Sequence, residues 1–222
     1  LQRNLKATIP VYDRINRFAT LGQVSRWRGK VRKMLPEGRV LEIGCGPGSF
    51  AEELIGRDLV CLDPIPEMLV TAEERVNFAR ASRGEEPAQF VKGTAENLPF
   101  EDDYFDAECT LFSFRDWFDK RAGLEEARRV LKPGSPLVII EPAKLNSIHG
   151  FLGVIWMRYW VAAYARIVCG VKDHPWKWLT KTYSEFGTTR DYMNMLRETG
   201  FNDVTSRLIF PGMATIWHAK AP

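Results

Sequence analysis

The chain has 222 residues, 45% hydrophobic and 27% charged, with a net charge of only +3. This length suits one domain with a real core. The composition excludes disordered, collagen-like and disulfide-scaffold proteins and argues against a nucleic-acid binder. Four dispersed cysteines (Cys45, Cys61, Cys109, Cys169) form no C-x-x-C pair. That argues against zinc or another metal and for a reducing, cytoplasmic compartment.

Residues 1–33 carry nine Lys/Arg (Arg3, Lys6, Arg14, Arg17, Arg26, Arg28, Lys30, Arg32, Lys33) against one acid, Asp13. The segment is basic but lacks the apolar stretch of a secretory signal. Two readings stay open for it: attraction to an anionic membrane surface, and an ordinary solvated helix face. Residues 1–38 are expected to form an N-terminal helical cap on a single domain spanning 1–222.

From residue 39 to 142 short apolar runs alternate with amphipathic stretches. Runs at 40–43, 59–62, 89–91, 107–111 and 137–140 are too short for helices and read as buried strands. In the second intervening helix Met68, Leu69, Ala72, Val76 and Ala79 share a face. In the fourth, Leu124, Ala127, Arg128 and Leu131 do so before the stop at Lys132-Pro133-Gly134. Alternating strands and helices predict a doubly wound, mostly parallel α/β sheet.

Residues 143–190 read as a helical insertion after the fifth strand. Within it, 151–171 is strongly apolar but holds Arg158 and Arg166. Its length permits a membrane span, but two arginines make that costly. Eight residues apart, they lie about 80° apart on a helical wheel and can share one polar edge. The segment is expected to cover the site and to touch a bilayer surface; an ordinary core helix is the alternative. At 191–222 a helix to Gly200 precedes strands at 204–210 and 214–219, joined through Pro211-Gly212 as an antiparallel hairpin. The sheet then has seven strands.

The sharpest signal is Val40-Leu41-Glu42-Ile43-Gly44-Cys45-Gly46-Pro47-Gly48-Ser49, a strand entering a tight glycine turn. Glycines let backbone approach a ligand closely, and Ser49 with Glu52 has capping-box spacing for a following helix, whose N-terminus attracts anions. The spacing G-x-G-x-G is not that of a dinucleotide loop, and no Gly-Lys-Ser/Thr follows to make a phosphate loop. Asp63 ends the second strand 21 residues beyond Glu42, where an acid can accept ribose hydroxyls.

Glu42-x-Gly44-x-Gly46, Asp63, the loop Gly93-Thr94-Ala95-Glu96-Asn97-Leu98-Pro99-Phe100, Asp102-Asp103-Tyr104-Phe105-Asp106 and Arg129-Val130-Leu131-Lys132-Pro133-Gly134 occur in an order that resembles the class I S-adenosylmethionine-dependent methyltransferases, a Rossmann-like fold. The resemblance implies S-adenosyl-L-methionine as cofactor. It would be held by Glu42, Gly44, Cys45, Gly46, Gly48, Asp63, Pro64, Met68, Thr94, Ala95, Glu96 and Phe112, with the methionine carboxylate at the glycine turn.

Over nearly the whole chain the sequence further resembles the C-methyltransferases of ubiquinone and menaquinone biosynthesis. The carriers are Tyr12-Asp13-Arg14-Ile15-Asn16, Trp27-Arg28, Phe112-Ser113-Phe114-Arg115-Asp116, Trp176-Lys177-Trp178-Leu179, Tyr183-Ser184-Glu185-Phe186, Gly200-Phe201, Gly212-Met213-Ala214 and His218. Asp116 stands where that family usually has Asn, Trp176 and Trp178 often replace Tyr, and Thr94 replaces Asn or Asp. The resemblance implies C-methylation of a prenylated quinol, with Arg115, Asp116 and Tyr12 as catalytic candidates. A guanidinium does not lose its proton under ordinary conditions, so Arg115 would stabilise an oxyanion or orient water while Asp116 takes the proton. Tyr12 would hold the ring hydroxyl.

Phe151, Leu152, Ile155, Trp156, Tyr159, Trp160, Tyr164, Trp176 and Trp178 would give the acceptor pocket its apolar lining. His149 and His174 read as surface histidines and His218 as a packed one. Other readings kept open are methylation of another lipophilic acceptor, such as a phospholipid amine, and a non-catalytic binding protein. Expected partners are a lipophilic small molecule, an anionic membrane surface and, as an open alternative, a second copy of the chain.

Overall fold

Each of the five aliphatic runs forms a parallel strand, and four of the five are buried almost throughout. The structure, a computed structural model, describes residues 9–142, 148–170, 186–212 and 214–222. The cap comprises α1 (Tyr12–Ala19) and α2 (Val24–Arg32). The core contains β1 (Arg39–Ile43), β2 (Asp58–Asp63), α3 (Pro66–Ala81), β3 (Gln89–Lys92), β4 (Ala107–Leu111), α4 (Lys120–Val130) and β5 (Pro136–Glu141). Beyond it lie α5 (Ile148–Ile155), α6 (Ala162–Cys169), α7 (Thr189–Glu198), β6 (Asn202–Ile209) and β7 (Ala214–Lys220).

The seven strands form one sheet in the order β3-β2-β1-β4-β5-β7-β6. β1 pairs in parallel with β2 on one side and β4 on the other, and β7 runs antiparallel to both β5 and β6. The winding reverses between β1 and β4. In open α/β sheets the crevice at the carboxyl end of such a switch point takes the ligand. Apolar clusters flank both faces: Leu41, Ile43, Leu124, Ala127 and Trp217 belong to one, Trp27, Val31, Val40, Ala72 and Val76 to the other.

Three expectations are corrected. No α-helix follows the glycine turn, only a 3-10 turn at Ala51–Glu53. The Ser49/Glu52 capping box is absent because both side chains go to Arg75: Nη1 donates to Ser49 Oγ at 3.0 Å and Nη2 to Glu52 Oε1 at 2.6 Å. On α4, Arg128 is exposed, and Leu124, Ala127 and Val130 make the buried face.

The third correction concerns the insertion. Helix runs from α5 into α6 through a π-type stretch, Trp156–Val161. Its wider turn shifts the phase of everything after it, so a regular wheel misplaces the residues. Val161 and Ala165 are buried against Ile15 and Ala19 of α1, while Arg158 and Arg166 are exposed. Phe18 stacks on Trp156 and Tyr164 at 5.1 and 4.2 Å, and Trp156 Nε1 donates to Ala19 O at 3.0 Å. The described aromatics of this segment therefore bind the cap or, like Tyr159 and Trp160, face outward. Trp176, Trp178 and His174 lie outside the described residues, as do the side chains of His149 and Phe151.

One feature of β4 has a stability consequence. Glu108 is fully buried between Leu41 and Leu137 in register, and neither carboxylate oxygen has a hydrogen-bond partner among the described residues. Burial, only partly opposed by Arg129, pushes its carboxyl well above the usual 4.5. The folded chain thus keeps a proton that the unfolded chain releases above about pH 4.5, and stability falls as pH rises from there, by at most about 1.4 kcal/mol per pH unit for this group. Glu108→Met is expected to raise stability at pH 7 by about 1–3 kcal/mol and to flatten that slope. Denaturant melts at several pH values check both; equal or lower stability would count against the orphaned carboxyl.

Candidate active site

The glycine turn is fastened to β2 by Gly44 N–H and Cys45 N–H, which both donate to Leu62 O at 2.7 and 3.1 Å. Gly46 has φ +54°, and the space where its Cβ would stand is empty within 4 Å. It leaves an open, side-chain-free approach to the turn. Gly48, at φ +75°, serves packing instead: a Cβ there would lie 3.0 Å from Ala72 Cα on α3. The Cys45 side chain is buried beside Cys61, a hydrogen-bond partner that with burial raises its thiol. Cys45 therefore has only backbone to offer at the turn.

Asp63 ends β2 and is 6% exposed. Its Oδ2 accepts Gly46 N–H and its Oδ1 accepts Ile65 N–H, both at 2.9 Å. One carboxylate thus sets the turn and the entry to α3. Burial raises its pKa against those two amides. Beyond it Pro64 is exposed and Met68 buried on α3. In the third loop Thr94 is exposed and Ala95 buried. Glu96 Oε1 accepts Phe118 N–H and Asp119 N–H at 2.7 and 3.2 Å, so it staples this loop to the start of α4. Arg129 holds the same loop through Leu98 O and Phe100 O at 3.0 and 2.8 Å.

Phe112, just past β4, has φ +61°, a strained value for a bulky residue. Its N–H donates to Ile140 O at 2.9 Å, and Ser113 Oγ donates to Ile43 O at 2.9 Å. The carboxyl ends of β1, β4 and β5 are thereby tied together at the switch point.

Glu42 at the end of β1 is 2% exposed, and its Oε2 has no hydrogen-bond partner among the described residues. Burial pushes its carboxyl up to about 8, with Arg28 opposing and Asp63 and Glu53 adding. A buried acceptor without a donor beside an open turn suits a ligand carrying an ammonium group. This is what the amino-acid end of S-adenosyl-L-methionine presents, and the residues fit that group.

The sequence pattern did not single out the charges around this turn. Arg28, counted there among surface bases, pairs with Asp13 at 3.4 Å and Glu53 at 3.6 Å. Arg75 on α3 pairs with Asp13 at 2.6 Å. The cap helices are thus bound to the turn and to α3. Nor did the pattern find Glu141, although an acid closing an apolar strand, as Asp63 does, was a usable signal.

Arg115, in the 3-10 turn Phe114–Asp116, places Nη1 at 3.0 and 3.1 Å from the two oxygens of Glu141. Burial alone would lower its pKa, but Glu141, Asp116 and Tyr12 outweigh it and hold the guanidinium more firmly protonated. Asp116 is 71% exposed at the side chain, and its Oδ2 lies 3.5 Å from Arg115 Nη2. Tyr12 is raised chiefly by burial, with Arg115 opposing. The structure brings Arg115, Tyr12 and Glu141 together and leaves Asp116 at the solvent edge. His218 on β7 is lowered by burial.

Sheet order, glycine turn and strand-end acids define a class I S-adenosylmethionine-dependent methyltransferase. A Thermotoga maritima crystal structure described as a SAM-dependent methyltransferase, possible histamine N-methyltransferase, superposes with TM-score 0.68 at 23% identity over all of both chains. The sequence profile of the ubiE/COQ5 methyltransferase family matches residues 5–220, and the chain belongs to that family. Demethylmenaquinone methyltransferase of Thermotoga maritima is 31% identical, covering 93% of this chain and 89% of its own. That of Deinococcus radiodurans is 31% identical, covering 98% and 90%. The ubiquinone/menaquinone biosynthesis C-methyltransferase of Geobacter sp. (strain M21) is 28% identical, covering 94% and 90%.

The neutral Glu42 of the free protein sets up a proton linkage. A bound ammonium favours the carboxylate, so binding S-adenosyl-L-methionine at pH 6.5 should release a proton, and affinity should rise with pH up to about 8. Calorimetry in buffers of different ionisation enthalpy measures the release, and Glu42→Gln should abolish it. Wild-type binding without proton release would remove Glu42 from this role.

Proposed function

We propose that this methyltransferase transfers a methyl group to a ring carbon of a prenylated quinol in quinone biosynthesis. The observation that carries the reading is the buried Arg115 at the carboxyl ends of β4 and β5, beside Tyr12. The relatives named for demethylmenaquinone supply the acceptor class.

S-adenosyl-L-methionine, when bound, supplies a methyl group on a sulfonium that needs no further activation. The chain has to align donor and acceptor and make the ring carbon nucleophilic. Loss of a ring-hydroxyl proton does the latter by sending charge into the ring. Arg115 meets the developing oxyanion as a fixed cation, and such preorganised charge is worth most where water is excluded. Tyr12 holds the hydroxyl by a hydrogen bond. Asp116 at the solvent edge can pass the proton to water.

Incubation with S-adenosyl-L-methionine and demethylmenaquinol is expected to yield a product heavier by one methylene. Arg115→Ala should lower kcat about 10²-fold with little change in cofactor affinity. Methylation of phosphatidylethanolamine instead, or a loss in Arg115→Ala confined to cofactor binding, would refute the respective part.

A prenylated acceptor resides in a bilayer, and peripheral membrane association belongs to the same proposal. No described helix is long and apolar enough to cross a membrane. The outer side of the insertion helix exposes Leu152, Tyr159, Trp160 and Ile167, with Ile167 79% exposed, interspersed with exposed Arg158 and Arg166. Such aromatic-basic surfaces suit an anionic interface, at about 1 kcal/mol per basic residue and screened by salt. Vesicles containing phosphatidylglycerol should co-sediment the protein at low salt and release it at high salt, and Trp160→Ala with Ile167→Ala should weaken binding. Equal binding to neutral vesicles, or none to either, would refute it.

A further inference from the structure

Glu141 has no part in the roles assigned above. It closes β5 with the residue fully buried, in register with Thr215 of β7. Both of its oxygens face a single nitrogen of Arg115, at 3.0 and 3.1 Å. The second terminal nitrogen of Arg115 has only the looser 3.5 Å contact with exposed Asp116. Lys120 Nζ donates to Arg115 O at 3.1 Å and fixes the backbone beneath it. The strand-end tie from Phe112 N–H to Ile140 O keeps the arginine-bearing turn against the end of β5. The guanidinium is therefore anchored at one end, with its other end directed away from the core.

We infer that Glu141 is a positioning residue for methyl transfer: its carboxylate anchors the Arg115 guanidinium in the orientation from which Arg115 meets the acceptor oxyanion. The inference rests on the acceptor reading above and adds the residue that sets its geometry. A long side chain such as arginine gains catalytic value from being fixed before the charge develops. A misplacement of about 1 Å costs about 10²-fold in rate. The anchor holds while Glu141 is charged. Burial pushes its carboxyl up, to about 7, with Arg115 pulling it down and Asp116 adding to the rise. The other ionisable groups facing the pair are Tyr12 from α1 and Tyr192 from α7. On the β7 side it meets uncharged Thr215. As pH falls through this range Glu141 takes a proton and the anchor loosens.

The test measures kcat, KM and pH profiles on demethylmenaquinol for wild type, Glu141→Gln, Glu141→Asp, Arg115→Ala and the Glu141→Gln/Arg115→Ala pair. Glu141→Gln is expected to lose about 10²-fold in kcat with cofactor affinity unchanged, and Glu141→Asp to recover part of it. The double variant should be no slower than Arg115→Ala alone, because Glu141 acts through Arg115. The acidic limb of the wild-type kcat profile should disappear in Glu141→Gln. Near-wild-type kcat in Glu141→Gln, losses that multiply in the double variant, or an acidic limb that survives would each overturn the inference. If Glu141→Gln does not fold, as checked by circular dichroism and cofactor binding, Glu141→Asp decides: a reduced kcat with a displaced acidic limb supports the inference, and an unchanged profile overturns it. Wild-type protein that leaves the quinol unmethylated overturns the acceptor reading and this inference with it.

Discussion

A carboxylate buried at the end of an apolar strand must find a donor or give up its charge. Three strands of this sheet end that way at the same edge, and the three acids resolve the demand differently. Asp63 takes two backbone amides and so shapes the turn that supplies one of them. Glu141 takes a guanidinium from the turn after β4. Glu42 keeps one oxygen without a partner among the described residues, and only a ligand arriving at the open face of Gly46 can satisfy it. The same rule therefore yields a loop, an ion pair and a binding site. Because parallel strands place their carboxyl ends side by side, all three fall around one crevice.

How much of this was legible depended on how local each cause is. Strand positions were readable because a short β-branched or aliphatic run has little alternative when both faces are buried. Glu42 and Asp63 stood out because neighbouring glycines and a fixed spacing frame them. Glu141 has no such frame. Its importance comes from Arg115, 26 positions away in sequence and adjacent only after β4 and β5 pair. Arg28 was hidden differently: it sits in a run of basic residues, and only helix packing turns it toward Asp13 and Glu53. The capping-box reading at Ser49 failed by competition. The local motif offered one partner set, and Arg75 offered a stronger charged one.

The insertion helix shows the limit of periodicity itself. A wheel at constant pitch assumes that every residue advances the face equally, and one π-type stretch breaks that assumption for all that follows. The apolar content was visible, but which side it served was not. Small residues Val161 and Ala165 approach α1 closely, and the large aromatics divide between stacking on Phe18 and facing outward.

The cap then links the two halves of the chemistry. α1 contributes Tyr12 to the neighbourhood of Arg115 and, one residue later, Asp13 to the charge cluster of Arg28 and Arg75 on the cofactor side. Successive residues of a helix point about 100° apart, so one turn can face both groups at once. Its opposite face, through Ile15 and Ala19, receives the insertion helix. A displacement of α1 would thus be felt at the acceptor hydroxyl, the glycine turn and the outward aromatic-basic surface together. The sheet fixes where charge is buried, and this short helix couples that fixed edge to the mobile parts of the reaction.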